Sequence, residues 1–386
     1  MPRIPALLLN LGHALDHLFL LIFATAVSAI AVDFGVERWE DLMPYTVGAF
    51  FMFGVGSVPA GRLGDLWGRR KMMLVFFYGI GLASIAVAFT QSPWQIAAAL
   101  TVLGLFSAIY HPVGIPMLVQ QSKRPGITIG INGLAGNLGI AFAALSTGLL
   151  VKYFGWRMAF IVPGVVSIAA GLLFSKTAPL ELGPPATKKL THIQLPKHLA
   201  VRTFIVMVAS GTTGSLLFNF TTNGNTQMLT ERLDGIVSDP ASIGMLMALV
   251  YAIASIAQVI VGRLIDRFPV KPLFFGIVAS QIGLFALAAQ STGWIWYVLA
   301  VAYMISVFGA IPFSDAMVVR YIDDSMRSRV SGISLAVYML GPFVKSSGFT
   351  QLLVAMSFIA AISAFIVLWL PGESQMRAAR QGGGAG

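Results

Sequence analysis

Along most of this chain, long runs of apolar residues alternate with short clusters of charged and turn-forming ones. Ala6 to Val32, Met72 to Phe89 and Val354 to Leu370 are three such runs. They approach or exceed the roughly 20 residues that an α-helix needs to cross a bilayer. The runs are continuous rather than alternating, so they predict helices and not barrel strands, which span about 10 residues each. The breaks predict helices over 6–32, 43–61, 71–90, 93–120, 126–151, 157–176, 203–229, 241–262, 270–290, 293–319, 327–346 and 350–371. The last two must share 327–371 with a turn, which Ser346-Ser347-Gly348 supplies.

Composition turns these helices into membrane spans. With 57% hydrophobic residues, 10% charged residues and a mean hydropathy of +0.82, too little polar surface exists to cover a water-soluble globule of 386 residues. The fold class is therefore an all-α integral membrane protein of twelve transmembrane helices. The first run is too long for a signal peptide and carries His13, Asp16 and His17, so it reads as the first span. The absence of cysteine excludes disulfides and thiolate metal sites, and no cofactor is implied. The glycine-rich end, 381–386, carries no functional signal.

Charge sets the expected orientation. If both termini are cytoplasmic, all but five of the 25 basic residues fall on the cytoplasmic side; the outer five are Arg38, Lys152, Arg157, Arg232 and Lys345. The first outer loop is acidic, with Asp33, Glu37, Glu40 and Asp41. A multi-pass protein of the inner (plasma) membrane follows. The formal charge of +10 then reflects topology and requires no nucleic-acid partner. The one long polar stretch, 177–202, contains Pro184-Pro185, Lys188-Lys189 and Pro196-Lys197 and reads as a cytoplasmic linker. It separates an N-terminal six-helix bundle (1–176) from a C-terminal one (203–371), with a cytoplasmic tail over 372–386.

The two halves repeat one another. Gly61-Arg62-Leu63-Gly64-Asp65 recurs as Gly262-Arg263-Leu264-Ile265-Asp266, and Gly130-Ile131 with Gly139 recurs as Gly332-Ile333 with Gly341. The two offsets, 201 and 202 residues, agree. Such parallel pseudo-repeats of six helices place a binding site at their interface near the bilayer midplane.

The segment Gly61-Arg62-Leu63-Gly64-Asp65-Leu66-Trp67-Gly68-Arg69-Arg70-Lys71 resembles the signature loop between helices 2 and 3 of the major facilitator superfamily. That resemblance implies a twelve-helix fold, a central cavity lined in part by helix 1, and alternating access by rocking of the two halves. Tyr110-His111-Pro112-Val113-Gly114 and Gly136-Asn137-Leu138-Gly139 are similar to segments of its fosmidomycin-resistance-like efflux branch. Asn137 stands where the exporter motif of helix 5 usually has proline, and Leu100 where the helix 4 motif has arginine. In the signature loop, Gly61 and Gly64 allow close helix approach, and Asp65 pairs with an arginine, Arg69 or Arg70, to lock the cytoplasmic side. Gly262 and Asp266 repeat the device, making Gly61, Asp65, Arg69, Arg70, Gly262 and Asp266 a candidate conformational gate. Topogenic charge alone is the simpler reading of the basic residues.

Ionisable groups inside apolar helices are costly and mark function by default. His13, Asp16 and His17, at i, i+3 and i+4, share one helix face, with Asn10 a turn earlier. A carboxylate beside two imidazoles suits a proton-coupling or substrate site; a structural hydrogen-bonded cluster is the alternative. The same residues with His111 form an alternative metal-ligand set. Tyr110 and His111 precede Pro112, which predicts a kink at the cavity. Asn137, Asn219 and Asn223 supply neutral hydrogen-bonding groups, and Tyr251, Tyr303, Asp315 and Tyr338 complete the candidate cavity. Aromatic residues in membrane helices also serve simply as packing.

No Gly-x-x-x-x-Gly-Lys-Ser/Thr loop and no nucleophile, base and orienter arrangement is present, which argues against an ATP-driven pump or an enzyme. The expected function is secondary active transport of a small organic solute by alternating access, as proton-coupled efflux by a monomer in membrane lipid. Transport of a metal ion or metal chelate through the helix 1 histidines is the alternative, and a scaffold or receptor is disfavoured by the lack of a large soluble domain.

Overall fold

The computed structural model describes residues 3–120, 122, 125–180, 197–265, 267–321, 335–372 and 375. Every regular element among them is helical, and eleven helices are long and apolar enough to cross a membrane. The elements are α1 (Arg3–Asp33), α2 (Val47–Trp67), α3 (Arg69–Ala88), α4 (Pro93–Ser107), a π-helical turn (Tyr110–Gly114), α5 (Ile115–Gln120), α6 (Pro125–Phe154) and α7 (Trp156–Thr177). They continue with α8 (Lys197–Arg232), α9 (Pro240–Ile265), α10 (Val270–Ala289), α11 (Gly293–Tyr321) and α12 (Leu335–Leu368).

Two boundaries differ from the sequence reading, each for a local reason. The signature segment Gly61–Asp65 is not a loop: α2 runs through it to Trp67, and Gly68 alone, at φ +98°, turns the chain into α3. Only glycine takes that backbone angle readily. Helix α8 starts at Lys197, inside the expected linker, where Leu199 is buried and extends the apolar pattern. Near the C-terminus, the helical run from Leu335 to Leu368 is interrupted at Gly348, at φ +80° and ψ 171°, within the expected Ser346-Ser347-Gly348 turn. Residues 181–196, 322–334 and Asp266 lie outside the described residues, as do the side chains of Asp315 and Tyr338.

The described contacts fall into two compact units. The first comprises Met1–Ala186, Thr222–Ala252 and Gly332–Ser346; the second comprises Thr187–Thr221, Ile253–Ser331 and Ser347–Gly386.

In the first unit α1 packs chiefly on α6, α3 on α7, and α2 on α4. Lipid gives no hydrophobic drive for helices to associate, so these contacts rely on small residues and interhelical hydrogen bonds. Ser84 Oγ donates to the Phe160 carbonyl (2.7 Å) and Ser167 Oγ to that of Phe77 (2.8 Å), stitching α3 to α7 in both directions. Arg70 caps the end of α7 by donating to the carbonyls of Ser175 (2.5 Å) and Ala178 (3.1 Å). Also inside this unit, Lys152 pairs with Asp239 (2.9 Å), Lys345 with Asp41 (2.5 Å), and Ser28 donates to Gln227 (3.0 Å).

In the second unit α10 packs on α11, and Gln281 Nε2 donates across them to the Ser306 carbonyl (3.0 Å). A buried apolar cluster of Val206, Met207, Val261, Phe274, Phe313 and Val367 joins α8, α9, α10, α11 and α12.

Candidate functional site

Polar side chains converge inside the first unit where α1 and α6 meet the π-turn. The turn follows from Pro112: proline has no N–H to give to the carbonyl four residues back, and the chain widens by one residue over Tyr110–Gly114. Gly61 and Gly64 of α2 accept this bulge. Cβ atoms added there would stand 3.2 Å from the Pro112 side chain and 3.0 Å from that of Val113. The signature segment thus braces the turn that presents Tyr110 and His111.

Tyr110 is fully buried. Its hydroxyl donates to the Leu9 carbonyl (2.7 Å) and accepts from Asn132 Nδ2 (2.8 Å), which also donates to Asn10 Oδ1 (2.9 Å). The Tyr110 ring lies stacked on His13, with centroids 4.8 Å apart and 17° between planes. His13 Nδ1 lies 2.7 Å from the Asn132 carbonyl oxygen. A carbonyl only accepts, so Nδ1 carries the proton and, in a neutral ring, Nε2 keeps its lone pair. That Nε2 is 3.2 Å from Nε2 of His17.

Asp16 has no solvent exposure. Ser107, from the end of α4, donates to its Oδ1 in a very short hydrogen bond. Its Oδ2 accepts no hydrogen bond and lies 3.4 Å from His111 Nε2. His111 stands edge-on to His13 and His17, at ring-centroid distances of 5.0 and 5.7 Å, and its side chain is 38% exposed. Phe53 covers its other side, 5.8 Å between centroids. The nitrogens that His13, His17 and His111 offer all lie within 4.8 Å of one another. The three imidazoles therefore converge, and the Asp16 carboxylate joins them on the His111 side.

Of the candidates named from sequence, Asn10, His13, Asp16, His17, Tyr110 and His111 belong to this one cluster. Asn137 is buried on α6. Asn219 is part-buried and donates to the Ser215 carbonyl (2.8 Å) of its own helix; Asn223 is buried on the same helix. Tyr251 is buried, with its hydroxyl 3.4 Å from the Thr222 carbonyl. Tyr303 is buried, with its ring against those of Phe285 and Trp296. At the candidate gate, Asp65 pairs with Arg69 (3.3 Å) where α2 meets α3, and Arg69 also donates to Gln120 (3.2 Å). Arg70 holds α7 instead, and among the described residues nothing beyond its own helix lies within 4 Å of a Cβ built on Gly262.

Two members of the cluster escaped the sequence reading. Asn132 is a buried amide in an apolar helix, a signal of the same kind as Asn137, and was passed over. Ser107 gave no signal, because a lone hydroxyl in a helix ordinarily bonds its own backbone.

A family model described as Major Facilitator Superfamily matches residues 9–231. Among curated proteins, the chain is 29% identical over 168 residues to a tetracenomycin C resistance and export protein of Streptomyces glaucescens, covering 42% of this chain and 31% of that one. It is 25% identical over 259 residues to multidrug resistance protein MdtG of Escherichia fergusonii, covering 63% and 61%. The chain thus spans between a third and three fifths of the length of these relatives. Among solved structures, a bacterial homolog of the human lysosomal transporter Spinster, inward-facing and occupied, superposes with a TM-score of 0.72 at 13% identity, over 95% of this chain and 96% of that one. At that identity the likeness shows the fold.

Proposed function

This chain belongs to the Major Facilitator Superfamily, a family of transporters and not of enzymes, and from that premise we propose that it is a secondary active exporter of a small organic solute. It works by alternating access between two six-helix pseudo-repeats, twelve spans in all, in the inner membrane with both termini cytoplasmic. The repeated Gly61–Asp65 and Gly262–Asp266 segments and the sorting of basic residues support this topology. The export direction draws on the named roles of the tetracenomycin C and multidrug relatives. The Tyr110–Gly114 and Gly136–Gly139 segments favour the fosmidomycin-resistance-like branch.

The observation that carries the coupling mechanism is Asp16. A carboxylate inside the membrane with one oxygen unpartnered is expensive to keep charged, and a bound proton removes that cost. Asp16 takes the proton when the cavity opens to one side and gives it up on the other. The part-exposed His111, 3.4 Å away, connects it to the open side of the cluster. The solute occupies the space beside His17, His111 and Phe53, with Asn10, Asn137 and Asn223 as further hydrogen-bonding candidates. The Asp65–Arg69 pair steadies the cytoplasmic ends of α2 and α3.

Proteoliposomes with an imposed pH gradient test this reading, with tetracenomycin C and a fluorescent lipophilic cation as probes. Wild-type protein accumulates a probe against its gradient, whereas Asp16→Asn exchanges it only down its gradient. Gradient-driven accumulation that survives intact in Asp16→Asn overturns the coupling role.

A further inference from the structure

The geometry points to a second occupant of this cluster: we propose that His13, His17, His111 and Asp16 form a binding site for one divalent transition cation of the zinc, cobalt and nickel class. When a metal is held tetrahedrally at about 2.0–2.1 Å from nitrogen or carboxylate oxygen, neighbouring ligand atoms stand about 3.3–3.4 Å apart. Two edges of such a polyhedron are already in place: His13 Nε2 to His17 Nε2 at 3.2 Å, and His111 Nε2 to Asp16 Oδ2 at 3.4 Å. All three histidines bring a ligand atom within 4.8 Å of the others, and Asp16 joins them through its edge to His111.

The outer layer is that of a metal site as well. A ligating histidine commonly donates its second ring N–H to a carbonyl, and ligating carboxylates are themselves hydrogen-bonded. His13 does the first through Nδ1 and the Asn132 carbonyl, which leaves Nε2 free to ligate. Asp16 does the second through Oδ1 and Ser107, which leaves the buried Oδ2 without a hydrogen-bond donor and directed to the His111 side. A purely structural polar cluster would satisfy that oxygen. The exposed flank of His111 gives an ion access.

Ligand chemistry sets the ion class. Imidazoles suit zinc, cobalt, nickel and copper(II), whereas magnesium and calcium demand oxygen ligands. A bound dication also counters the Asp16 charge in the membrane, so metal and proton are alternative ways to meet one electrostatic need. The site is the one read above as the coupling site, but ion binding requires no gradient, and the two readings fail in different measurements.

The test uses full-length protein in detergent micelles, stripped with a chelator and titrated with Co²⁺. One equivalent should give the intense visible bands of four-coordinate cobalt, displaced by Zn²⁺ and not by excess Mg²⁺. His17→Ala and His111→Ala should each weaken binding at least 100-fold. Ser107→Ala should weaken it on the order of 10-fold, as loss of an outer-layer partner does. His198→Ala, at an exposed residue of α8, should leave it unchanged. X-ray absorption of the wild-type cobalt complex should show multiple imidazole scattering, a readout that survives if a variant fails to fold. No saturable one-to-one binding, equal competition by Mg²⁺, binding unaltered in His17→Ala or His111→Ala, or no imidazole scattering would each overturn the assignment.

Discussion

Gly136 of α6 lies directly against the His13 ring, and adding one methyl group there tests whether His13 is held as rigidly as its contacts imply. A Cβ on Gly136 would sit 2.7 Å from both Cε1 and Nε2 of His13 and 3.0 Å from Cδ2. The ring must retreat by about 0.7 Å to restore ordinary contact at 3.4 Å. It has nowhere easy to go: Tyr110 stacks on one face, and Nδ1 is tied to the Asn132 carbonyl at 2.7 Å. A shift of that size stretches the hydrogen bond past its useful range, so Gly136→Ala combines overpacking of about 1–3 kcal/mol with part of a hydrogen bond worth about 0.5–1.5 kcal/mol. The assay is a double-mutant cycle on unfolding in detergent, with Gly136→Ala, His13→Ala and the pair. Because the clash is with the ring, removing the ring should relieve it, giving a coupling of about 1–3 kcal/mol. Gly139→Ala is the control, since its Cβ would meet the backbone of Ala14 at 2.6–2.7 Å from Cα and C, which His13→Ala cannot relieve. Equal cost of Gly136→Ala with and without His13 would refute the picture of a pinned imidazole.

Four further outcomes can be checked on purified protein. Asn132→Ala should lower unfolding stability by about 1–3 kcal/mol, because Asn10 Oδ1 and the Tyr110 hydroxyl lose their shared donor while the His13 bond to the backbone survives; no change in the unfolding midpoint would show that the amide is not structural. Ser84→Ala and Ser167→Ala should each cost about 0.6 kcal/mol and at most about 1.7, and should add, since they remove separate bonds between α3 and α7; a strongly non-additive pair would contradict that. Gly348→Ala should cost about 1–3 kcal/mol because its backbone angles suit only glycine, and an unchanged midpoint would show that the chain turns elsewhere. Asp239→Asn should be nearly silent at high salt. The Lys152 hydrogen bond holds the Asp239 carboxyl below its ordinary value of 3.8, so the pair stabilises the fold above that pH and the contribution disappears as pH falls through the depressed value. A wild-type advantage over Asp239→Asn that grew on acidification would reverse this sign.

How much was legible in the sequence depends on the range of the forces involved. Membrane helices announce themselves residue by residue, because each span must satisfy its own backbone in lipid, and eleven of them stand among the described residues. The helix 1 histidines and Asp16 were legible for the same reason: three ionisable groups at i, i+3 and i+4 are too costly on a lipid-facing stripe, so their shared face had to turn inward. What the sequence could not supply was their partners. Ser107 reaches Asp16 from 91 residues away and Asn132 reaches His13 from 119; the serine gives no signal of its own, and the asparagine's signal does not say which residue it meets.

The π-turn shows the same division. Pro112 announces a break in helix 4, since its missing N–H is a local fact, but the direction in which Tyr110 and His111 swing depends on what lies behind the bulge. That surface is Gly61 and Gly64, in a segment whose family resemblance had pointed to a cytoplasmic lock. Their lack of side chains lets α2 press against Pro112 and Val113. The signature segment and the ionisable cluster are therefore mechanically joined through one turn of helix 4. A bulky residue at Gly64, where an added Cβ already stands 3.0 Å from Val113, should disturb His111 and Asp16 before it disturbs the Asp65–Arg69 pair on the exposed end of the same helix.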